Sequence, residues 1–374
     1  MRDWRELTLG DLATWTSGKL LPATDRTPSG AYPLHGANGV IGRTNRILFR
    51  DPVVTVGRVG AIGEVHVTSG PVWVSDNALV AQPRPLVLTA FLALLLEAFD
   101  FQKIRGGTTQ PLITQRALSR QAVMLAPLTE QRRIIDLIGA VETTSVRSRE
   151  AEAAARQAYS AVLEGAARAT GQLLTVRECV EVAKAGGTPS RAEASFFGGG
   201  IPWLKSGEVA QNLISQTEET LTESGLRSSS AWLVPAGAIV LAMYGATAGA
   251  VGRTAIPLAT NQAVLSLVAR PGVIEQGLLF HMLRWLSPNL KAQAVGAAQP
   301  NLSKERVLEA AIPVPPESEQ SSLTALLDDL LEFEASCSEA SWHASVLRAA
   351  LLADLLSGDH EIPASYDRFL DGAA

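Results

Sequence analysis

The sequence predicts an α+β protein: two similar modules, each β-rich with a helix, separated by two long antiparallel helices forming a coiled coil. Three observations predict it. The stretch QPLITQRALSRQAVMLAPLTEQRRI (Gln110–Ile134) returns 189 residues later as QPNLSKERVLEAAIPVPPESEQSSL (Gln299–Leu323), keeping Gln-Pro at the start and Glu-Gln near the end. The segments ahead of the two copies follow one order: extended segments, a Gly-rich turn, an Asn-containing strand, then a helical pattern. After each copy the chain becomes helix-compatible over a long proline-free run.

Taken in order, LTLGDLA (Leu7–Ala13) resembles LTVRECV (Leu174–Val180), and each reads as a short strand or turn leading into a module. VGRVGAIGEVHV (Val56–Val67) resembles AMYGATAGAVGRTA (Ala242–Ala255), and SDNALVAQPRP (Ser75–Pro85) resembles ATNQAVLSLVARP (Ala259–Pro271). LTAFLALLLEAFDFQKI (Leu88–Ile104) and IEQGLLFHMLRWL (Ile274–Leu286) carry the helical pattern. The first long helix opens after Pro127, with Thr129 as candidate N-cap, and runs to about Arg168; the second opens after Pro315 and Pro316, and meets no Pro or Gly before Gly358. Heptad stepping in the second places Leu326, Leu330, Phe333, Cys337, Ala340, Ala344, Leu347 and Leu351 on one seam, with Leu355 following. The repeat puts Leu137, Val141, Thr144, Ser148, Ala151, Ala155, Ala158 and Val162 on the other. A bulky seam against a small one suits an intramolecular coiled coil; the alternative is two amphipathic helices packing separately on their own modules. About 38 helical residues at roughly 1.5 Å each make a rod of order 55–60 Å, long for a core helix and suited to a spacer.

Composition restricts the class. The chain has 374 residues, 47% hydrophobic and 18% charged, with mean hydropathy +0.14, enough to bury real cores in two or three domains. The N-terminal stretch is mixed charged and apolar, unlike a targeting signal, and apolar runs such as Leu92–Leu96 are too short to cross a membrane. Cys179 and Cys337 are isolated, which suggests neither a disulfide framework nor a Cys-based metal site, and a reducing cytoplasm is expected. The net charge of −5 is unevenly spread: +4 over residues 1–127, zero over 128–171, +1 over 172–316 and −10 over 317–374. The acidic terminal helix is therefore expected to meet a partner or solvent rather than a polyanion.

Catalytic constellations are lacking. His35, His66, His281, His343 and His360 form no HExxH and no metal spacing, and no G-x-S-x-G is present. Ser17–Lys19 reads SGK without the rest of a phosphate-binding loop. Gly57, Gly60 and Gly63, like Gly245, Gly249 and Gly252, continue into β-branched sequence, so hairpin turns or a close backbone approach explain them better than a nucleotide loop. No Asn/Asp-Pro-Pro-aromatic motif of a methyltransferase occurs.

YPLHGANGVIGRTN (Tyr32–Asn45), GGTTQPLIT, LAPLTEQRRI, GGTPSR (Gly186–Arg191), IPWLKSGEV (Ile201–Val209), MYGATAG (Met243–Gly249) and IPVPPESEQ together resemble the specificity subunits of Type I restriction–modification enzymes. The resemblance covers nearly the whole chain, although the first module lacks a clear GGTPSR and PWLK. It implies target-recognition domains at residues 1–127 and 172–316, a central helix at 128–171, a distal helix at 317–358 and a tail at 359–374. It also implies a non-catalytic DNA-binding subunit, with each domain reading one half of a bipartite double-stranded DNA site. Its implied partners are methylation subunits, expected as two copies, and restriction subunits; S-adenosylmethionine, ATP and Mg would reside on those partners, with no cofactor here. A recognition polypeptide of another DNA-modifying or phage-defence system, and a scaffold of two modules on a coiled coil, are the alternatives.

A protein that only reads DNA needs basic and amide side chains at base edges and phosphates. Candidates in the first module are Arg43, Asn45, Arg46, Arg58, Lys103, Arg105, Thr108 and Gln110. In the second they are Arg191, Lys205, Ser206, Tyr244, Thr247, Arg253, Gln299, Asn301 and Lys304. Ordinary solvated surface is the competing explanation for each. Lys205 and Tyr244 stand out because the family places their motifs on DNA-facing loops. Asn77 and Asn261 read as residues that pin backbone, and Trp203 and Trp232 as packing residues.

Overall fold

The computed structural model describes residues 3–106, 112–169, 172–294 and 301–370. The chain forms two compact units, residues 1–149 with 339–374, and residues 150–338.

In the first unit β1 (Arg5–Thr8), α1 (Leu9–Leu12), β2 (Ala13–Ser17), β3 (Tyr32–Gly36), β4 (Gly39–Thr44), β5 (Val54–Gly57) and β6 (Val65–Val67) come first. Then follow β7 (Trp73–Val74), β8 (Ala78–Pro83), α2 (Thr89–Glu97), α3 (Gln115–Ser119), β9 (Ala122–Leu125) and the start of α4 (Leu128–Ala169). Three sheets result, ordered β1-β9, β2-β8-β5-β6 and β4-β3-β7. The apolar face of α2, with Phe91, Leu92 and Leu96 fully buried, closes a core shared with Leu9, Leu12, Val54, Val56 and Ile134.

The second unit repeats the plan. β10 (Leu173–Thr175), α5 (Val176–Cys179), β11 (Val180–Ala185), β12 (Phe197–Leu204), β13 (Leu213–Ile214), β14 (Glu219–Leu221), α6 (Glu223–Arg227) and β15 (Ile239–Ala242) come first. They are followed by β16 (Val251–Thr254), β17 (Ala259–Thr260), β18 (Val264–Ala269), α7 (Gln276–Ala294), α8 (Lys304–Glu309), β19 (Ala311–Pro313) and α9 (Glu317–Ser357). Its sheets are ordered β10-β19, β11-β18-β15-β16-β13 and β14-β12-β17. The repeated LT stretches have one geometry: an antiparallel strand, β1 on β9 or β10 on β19, running into a single helical turn. A capping box starts each turn, Thr8 with Asp11 and Thr175 with Glu178. The glycine sets lie in the β5–β6 and β15–β16 hairpins; at Gly57 a Cβ would fall 1.9 Å from the Ala61 carbonyl oxygen.

The Glu-Gln of the repeat has a definite role. Gln131 is fully buried; its amide donates to the carbonyls of Leu86 and Ala126 at 3.1 and 2.8 Å and accepts the Leu88 N–H at 2.9 Å. Gln320, 2% exposed, donates to Val273 and Pro315 at 3.0 Å each and accepts from Glu275 N–H at 2.7 Å. In each unit one carboxamide therefore ties a long helix to the approach to the module's own helix, α2 or α7, and to the strand before it. Only an amide side chain offers both donors and an acceptor at this length.

Where residues of α4 and α9 meet inside either unit, they run antiparallel. In the first unit Ser145 Oγ lies 3.4 Å from Ser341 Oγ and 3.3 Å from Ser345 Oγ, while Arg348 reaches Glu142 at 3.3 Å and Glu97 at 2.8 Å. In the second unit Arg156 meets Glu334 at 2.8 Å. The seam differs from the sequence expectation at every second position. Leu330, Cys337, Ala344 and Leu351 face inward as expected, but Leu326, Phe333 and Leu347 are 47%, 53% and 50% exposed, and Ala340 is also exposed. The other line of the seam is Leu327, Glu334, Ser341, Arg348 and Leu355, one residue on. On the first helix Thr144 is exposed and Ser145 buried in its place, and Ile138 and Tyr159 are more deeply buried than Leu137 and Ala158, which are half-buried, as are Ala151 and Glu152. Heptad stepping over apolar residues missed this line because several of its inward positions, Ser145, Ser341, Glu334 and Arg348, hold polar residues that find partners on the opposing helix and modules. Thr129 also lies one residue inside α4 rather than capping it, and the Gln131 N–H bonds to Pro127 O at 2.9 Å.

The acidic tail belongs to the first unit. Ile362 is 5% exposed; its N–H donates to Glu130 at 3.2 Å and its carbonyl accepts from Arg133. Arg133 also holds Asp367 through two hydrogen bonds of 2.6 and 2.7 Å, and Tyr366 donates to Asp136 at 2.7 Å. Arg133 keeps the Asp367 carboxyl below the usual carboxylate range.

Replacing Gln320 by Leu keeps the volume but leaves one N–H and two carbonyls buried without partners. We expect a loss of about 2–4 kcal/mol of unfolding free energy in urea titrations, and the same for Gln131→Leu. A loss below about 0.5 kcal/mol would remove the anchoring role.

Candidate nucleic-acid interface

In the second unit the β15–β16 hairpin carries the turn Met243–Gly249. Met243 N–H bonds to Ala263 O and Met243 O accepts Leu302 N–H, both at 2.8 Å, so the turn is pinned between β18 and the chain entering α8. Tyr244, 40% exposed, pairs as an isolated antiparallel bridge with exposed Asn301. Thr247 Oγ1 donates to the Ser206 carbonyl at 2.9 Å. Four candidates, Ser206, Tyr244, Thr247 and Asn301, are thus brought together, with Lys205 next in the chain.

Lys205 Nζ binds Glu218 at 2.7 Å and Glu219 at 3.1 Å. Glu219 also takes Arg191 at 2.5 Å, whose guanidinium carbon sits 4.7 Å from the Phe197 ring centre and 4.9 Å from that of Trp203. The hydrogen bond from Arg191 holds the Glu219 carboxyl low, and Glu218 and Glu219 raise the Lys205 ammonium. A ligand approaching Lys205 therefore competes with two carboxylates. Lys304 opens α8, whose N-cap is Ser303. Gln299, like Thr108 and Gln110 of the first module, lies outside the described residues.

Candidates in the first module fall in three places. Arg43 donates to Gly30 O at 2.6 Å and Ala31 O at 2.8 Å, Asn45 accepts from Ala31 N–H at 3.0 Å, and Arg46 pairs with Asp25 at 3.1 Å. These three gather at the end of β4 around the loop before β3. Arg58 begins the β5–β6 turn, donating to Ser17 Oγ at 3.3 Å. Its backbone is held as Met243 is held: N–H to Asn77 O at 3.0 Å and carbonyl from Ile113 N–H at 3.1 Å. Lys103 lies within a short helical turn and Arg105 just after it, both exposed beside Asp100 and Gln102. Trp203 is 1% exposed, and its indole N–H bonds to Gly187 O at 3.2 Å; Trp232 packs half-buried beneath Lys184. Asn261 accepts the Ala263 N–H at 3.1 Å, pinning its turn.

Arg253 points elsewhere. It leaves β16 toward α9 and clasps Asp328 through Nη2 at 2.9 Å and Nη1 at 3.2 Å. Asp328 Oδ1 lies 3.1 Å from His281 Nε2, and His281 Nδ1 lies 2.9 Å from Tyr159 Oη. No spacing in the sequence signalled this chain, because its four members come from four elements. His281 has no solvent exposure, and burial pushes its imidazole down to about 4, against the pull of Asp328; burial also raises Tyr159 to about 12. Among the described residues no cluster of His, Cys, Asp and Glu could hold a metal ion, and no helix is long and apolar enough to cross a membrane.

The fold and this site define a protein of two alike modules, each offering short loops of amide, hydroxyl and basic side chains. The family described as the Type I restriction modification DNA specificity domain matches residues 1–153 and 172–336, one span for each module and the helix beside it. The chain belongs to that family. It is 31% identical over 164 residues to the Type I restriction enzyme MjaIX specificity subunit of Methanocaldococcus jannaschii, covering 42% of this chain and 38% of that one. It is 25% identical over 149 residues to the EcoR124I/EcoR124II specificity subunit of Escherichia coli, covering 38% and 37%. The aligned stretches thus span well under half the length of these relatives. The fold is similar to that of a Type I restriction–modification S subunit from M. genitalium, with TM-score 0.71 at 17% identity over 95% of this chain and 96% of that one. A second solved chain, from work on assembly and conformational transition of the Type I system, gives TM-score 0.55 at 16% identity over 96% and 98%.

The His281 environment yields a prediction. Its folded pKa lies below the unfolded value near 6.5, so the unfolded chain binds the proton first as pH falls. The contribution is whole above about pH 6.5 and is lost toward pH 4, about 2 kcal/mol of it between pH 7 and pH 5. Urea unfolding at both pH values should show His281→Leu losing less stability than the unaltered chain. Equal losses would contradict the assignment.

Proposed function

We propose that this chain is the DNA-reading subunit of a Type I restriction–modification enzyme, with one half of a bipartite double-stranded target read by each module. The observation that carries the reading is the doubled module: one family spans both copies, and each copy builds a pinned hairpin turn beside amide, hydroxyl and basic side chains. Modest charge on the modules fits a reader whose salt-dependent grip on phosphates is completed by other subunits. The chain contributes no catalytic group. Methylation subunits, two per chain, bring S-adenosylmethionine, and restriction subunits bring ATP and Mg. The long helices set the unread gap between half-sites.

Exposed apolar side chains on α9, with Phe333 at 53% and Trp342 at 62%, supply surface for the methylation partners, consistent with an acidic helix that does not face DNA. An open groove of about 750 Å³ within the second unit, lined by Val162, Ala166, Val314, Leu323 and Leu326, adds to it.

The test is the methylation pattern of cells expressing the chain with its methylation partner. A bipartite motif with a fixed gap is expected; methylation without a sequence motif, or a single uninterrupted motif, overturns the reading. Within that assay Lys205→Ala and Tyr244→Ala should weaken one half-site only, each by about 1–3 kcal/mol where the side chain meets a base. Losing the Lys205 cation also frees Glu218 near the DNA and leaves Glu219 with Arg191 alone, which adds to the effect. Equal weakening of both half-sites, or none, contradicts the assignment.

A further inference from the structure

The chain Tyr159–His281–Asp328–Arg253 joins both long helices, α7 and the five-stranded sheet of the second unit. Tyr159 stands on α4, His281 on α7, Asp328 on α9 and Arg253 on β16. Its proton arrangement has one consistent solution. The Asp328 carboxylate only accepts, so His281 Nε2 carries the hydrogen, and neutral Nδ1 accepts from the Tyr159 hydroxyl. Both terminal nitrogens of Arg253 reach Asp328, which fixes the angle of the guanidinium as well as its distance. The guanidinium also lies 4.5 Å from the Phe280 ring centre, and Arg284 sits 5.6 Å from that of Tyr159.

The first unit shows that packing does not require this chain. Leu88 and Glu275 are equivalent, since each donates its N–H to the anchoring glutamine, which makes Leu94 the counterpart of His281. Leu94 is 7% exposed and apolar. By the repeat, Asp328 corresponds to Gly139 and Tyr159 to Arg348; by strand pairing, Arg253 opposite Ile239 corresponds to Val67 opposite Val54. None of the four residues is reproduced. A leucine fills the site in one unit; in the other it holds a polar chain, buried at Tyr159 and His281 and partly exposed at Asp328 and Arg253.

We propose that Tyr159, His281, Asp328 and Arg253 are positioning residues for the second module, holding the hairpin that carries Tyr244 and Thr247 in one setting against α4 and α9, and so restricting the gap between half-sites that the protein accepts. The proposal rests on the DNA-reading function above. Arg253 pairs with Ile239 across the hairpin and lies four residues beyond the turn that ends at Gly249, so its angle is passed directly to the recognition turn. A different setting of the hairpin would part Arg253 from Asp328 and leave Asp328, 36% exposed, facing buried His281 without its cation, and partly satisfied networks are disfavoured more than an apolar contact is. Apolar packing, as at Leu94, tolerates small slides; a bidentate hydrogen-bonded chain does not.

The experiment uses the full complex with its methylation partner and competing duplexes whose half-sites are separated by the accepted gap, or by one base pair more or fewer. The unaltered chain and His281→Gln, whose amide can both donate to Asp328 and accept from Tyr159, should prefer the accepted gap tenfold or more. His281→Leu should fall below threefold while still discriminating against an altered first half-site as before. Tyr159→Phe, which removes only the hydroxyl, should lie between, and it replaces His281→Leu if that variant does not fold. Retention of the full gap preference by His281→Leu or Tyr159→Phe, or its loss by His281→Gln to the level of leucine, overturns the proposal. An unaltered complex with no gap preference overturns the DNA-reading function itself, and this inference with it.

Discussion

Two buried glutamines hold the architecture together. Gln131 and Gln320 sit in the first turns of the long helices, and each satisfies three backbone groups of the module that leads into its helix. Both helices would begin after a proline in any case, but a proline only ends an extended segment. The carboxamide converts that ending into a fixed joint, because it bonds at once to the strand before the helix and to the approach to α2 or α7. Without such a joint, the direction of a long helix says nothing about the direction of the module it leaves. With it, each module is fixed to the first turns of its own long helix.

The contact between the helices is built for definition more than for strength. Its inward line holds Ser145, Ser341, Glu334 and Arg348 as well as Ile138, Leu327 and Leu355. Serine against serine contributes little burial, and half-exposed ion pairs such as Arg348 with Glu142 contribute little net energy. Polar groups at inward positions do, however, disfavour a slipped register, since slippage would bury them against apolar neighbours. Stability resides in the module cores, where α2 and α7 bury their apolar faces. Leu326, Phe333 and Leu347 are left outside, exposed on α9.

Much of this was legible in the sequence, because a repeat reports twice on the same constraint. The order of elements, the paired hairpins and the bounds of both long helices followed from glycine, proline and asparagine placement. The seam was half legible: Leu330, Cys337 and Ala344 lie where spacing put them, but heptad stepping over apolar residues missed a line that includes Glu334, Ser341 and Arg348. Residue size reports burial only where the partner is apolar. The Glu-Gln pair was visible as a pattern, and its role was not, since the bonded groups are backbone carbonyls with no residue signature. The candidate site was legible as residue types rather than as pairings. Lys205 and Arg191 carry no mark of the glutamates they share, and the Arg253 chain joins residues up to 169 positions apart in sequence.

The central claim is that the helices measure DNA. The most direct measurement inserts one heptad into α4 near Arg149 and one into α9 near Ser338, keeping the seam in phase, and reads the methylation motif of the altered enzyme in cells. Seven residues add about 10 Å to each helix, which at roughly 3.4 Å per base pair is about 3 bp along the duplex. The account predicts unchanged half-site sequences separated by a gap longer by up to about that amount. An unchanged gap, or new bases in either half-site, would contradict it.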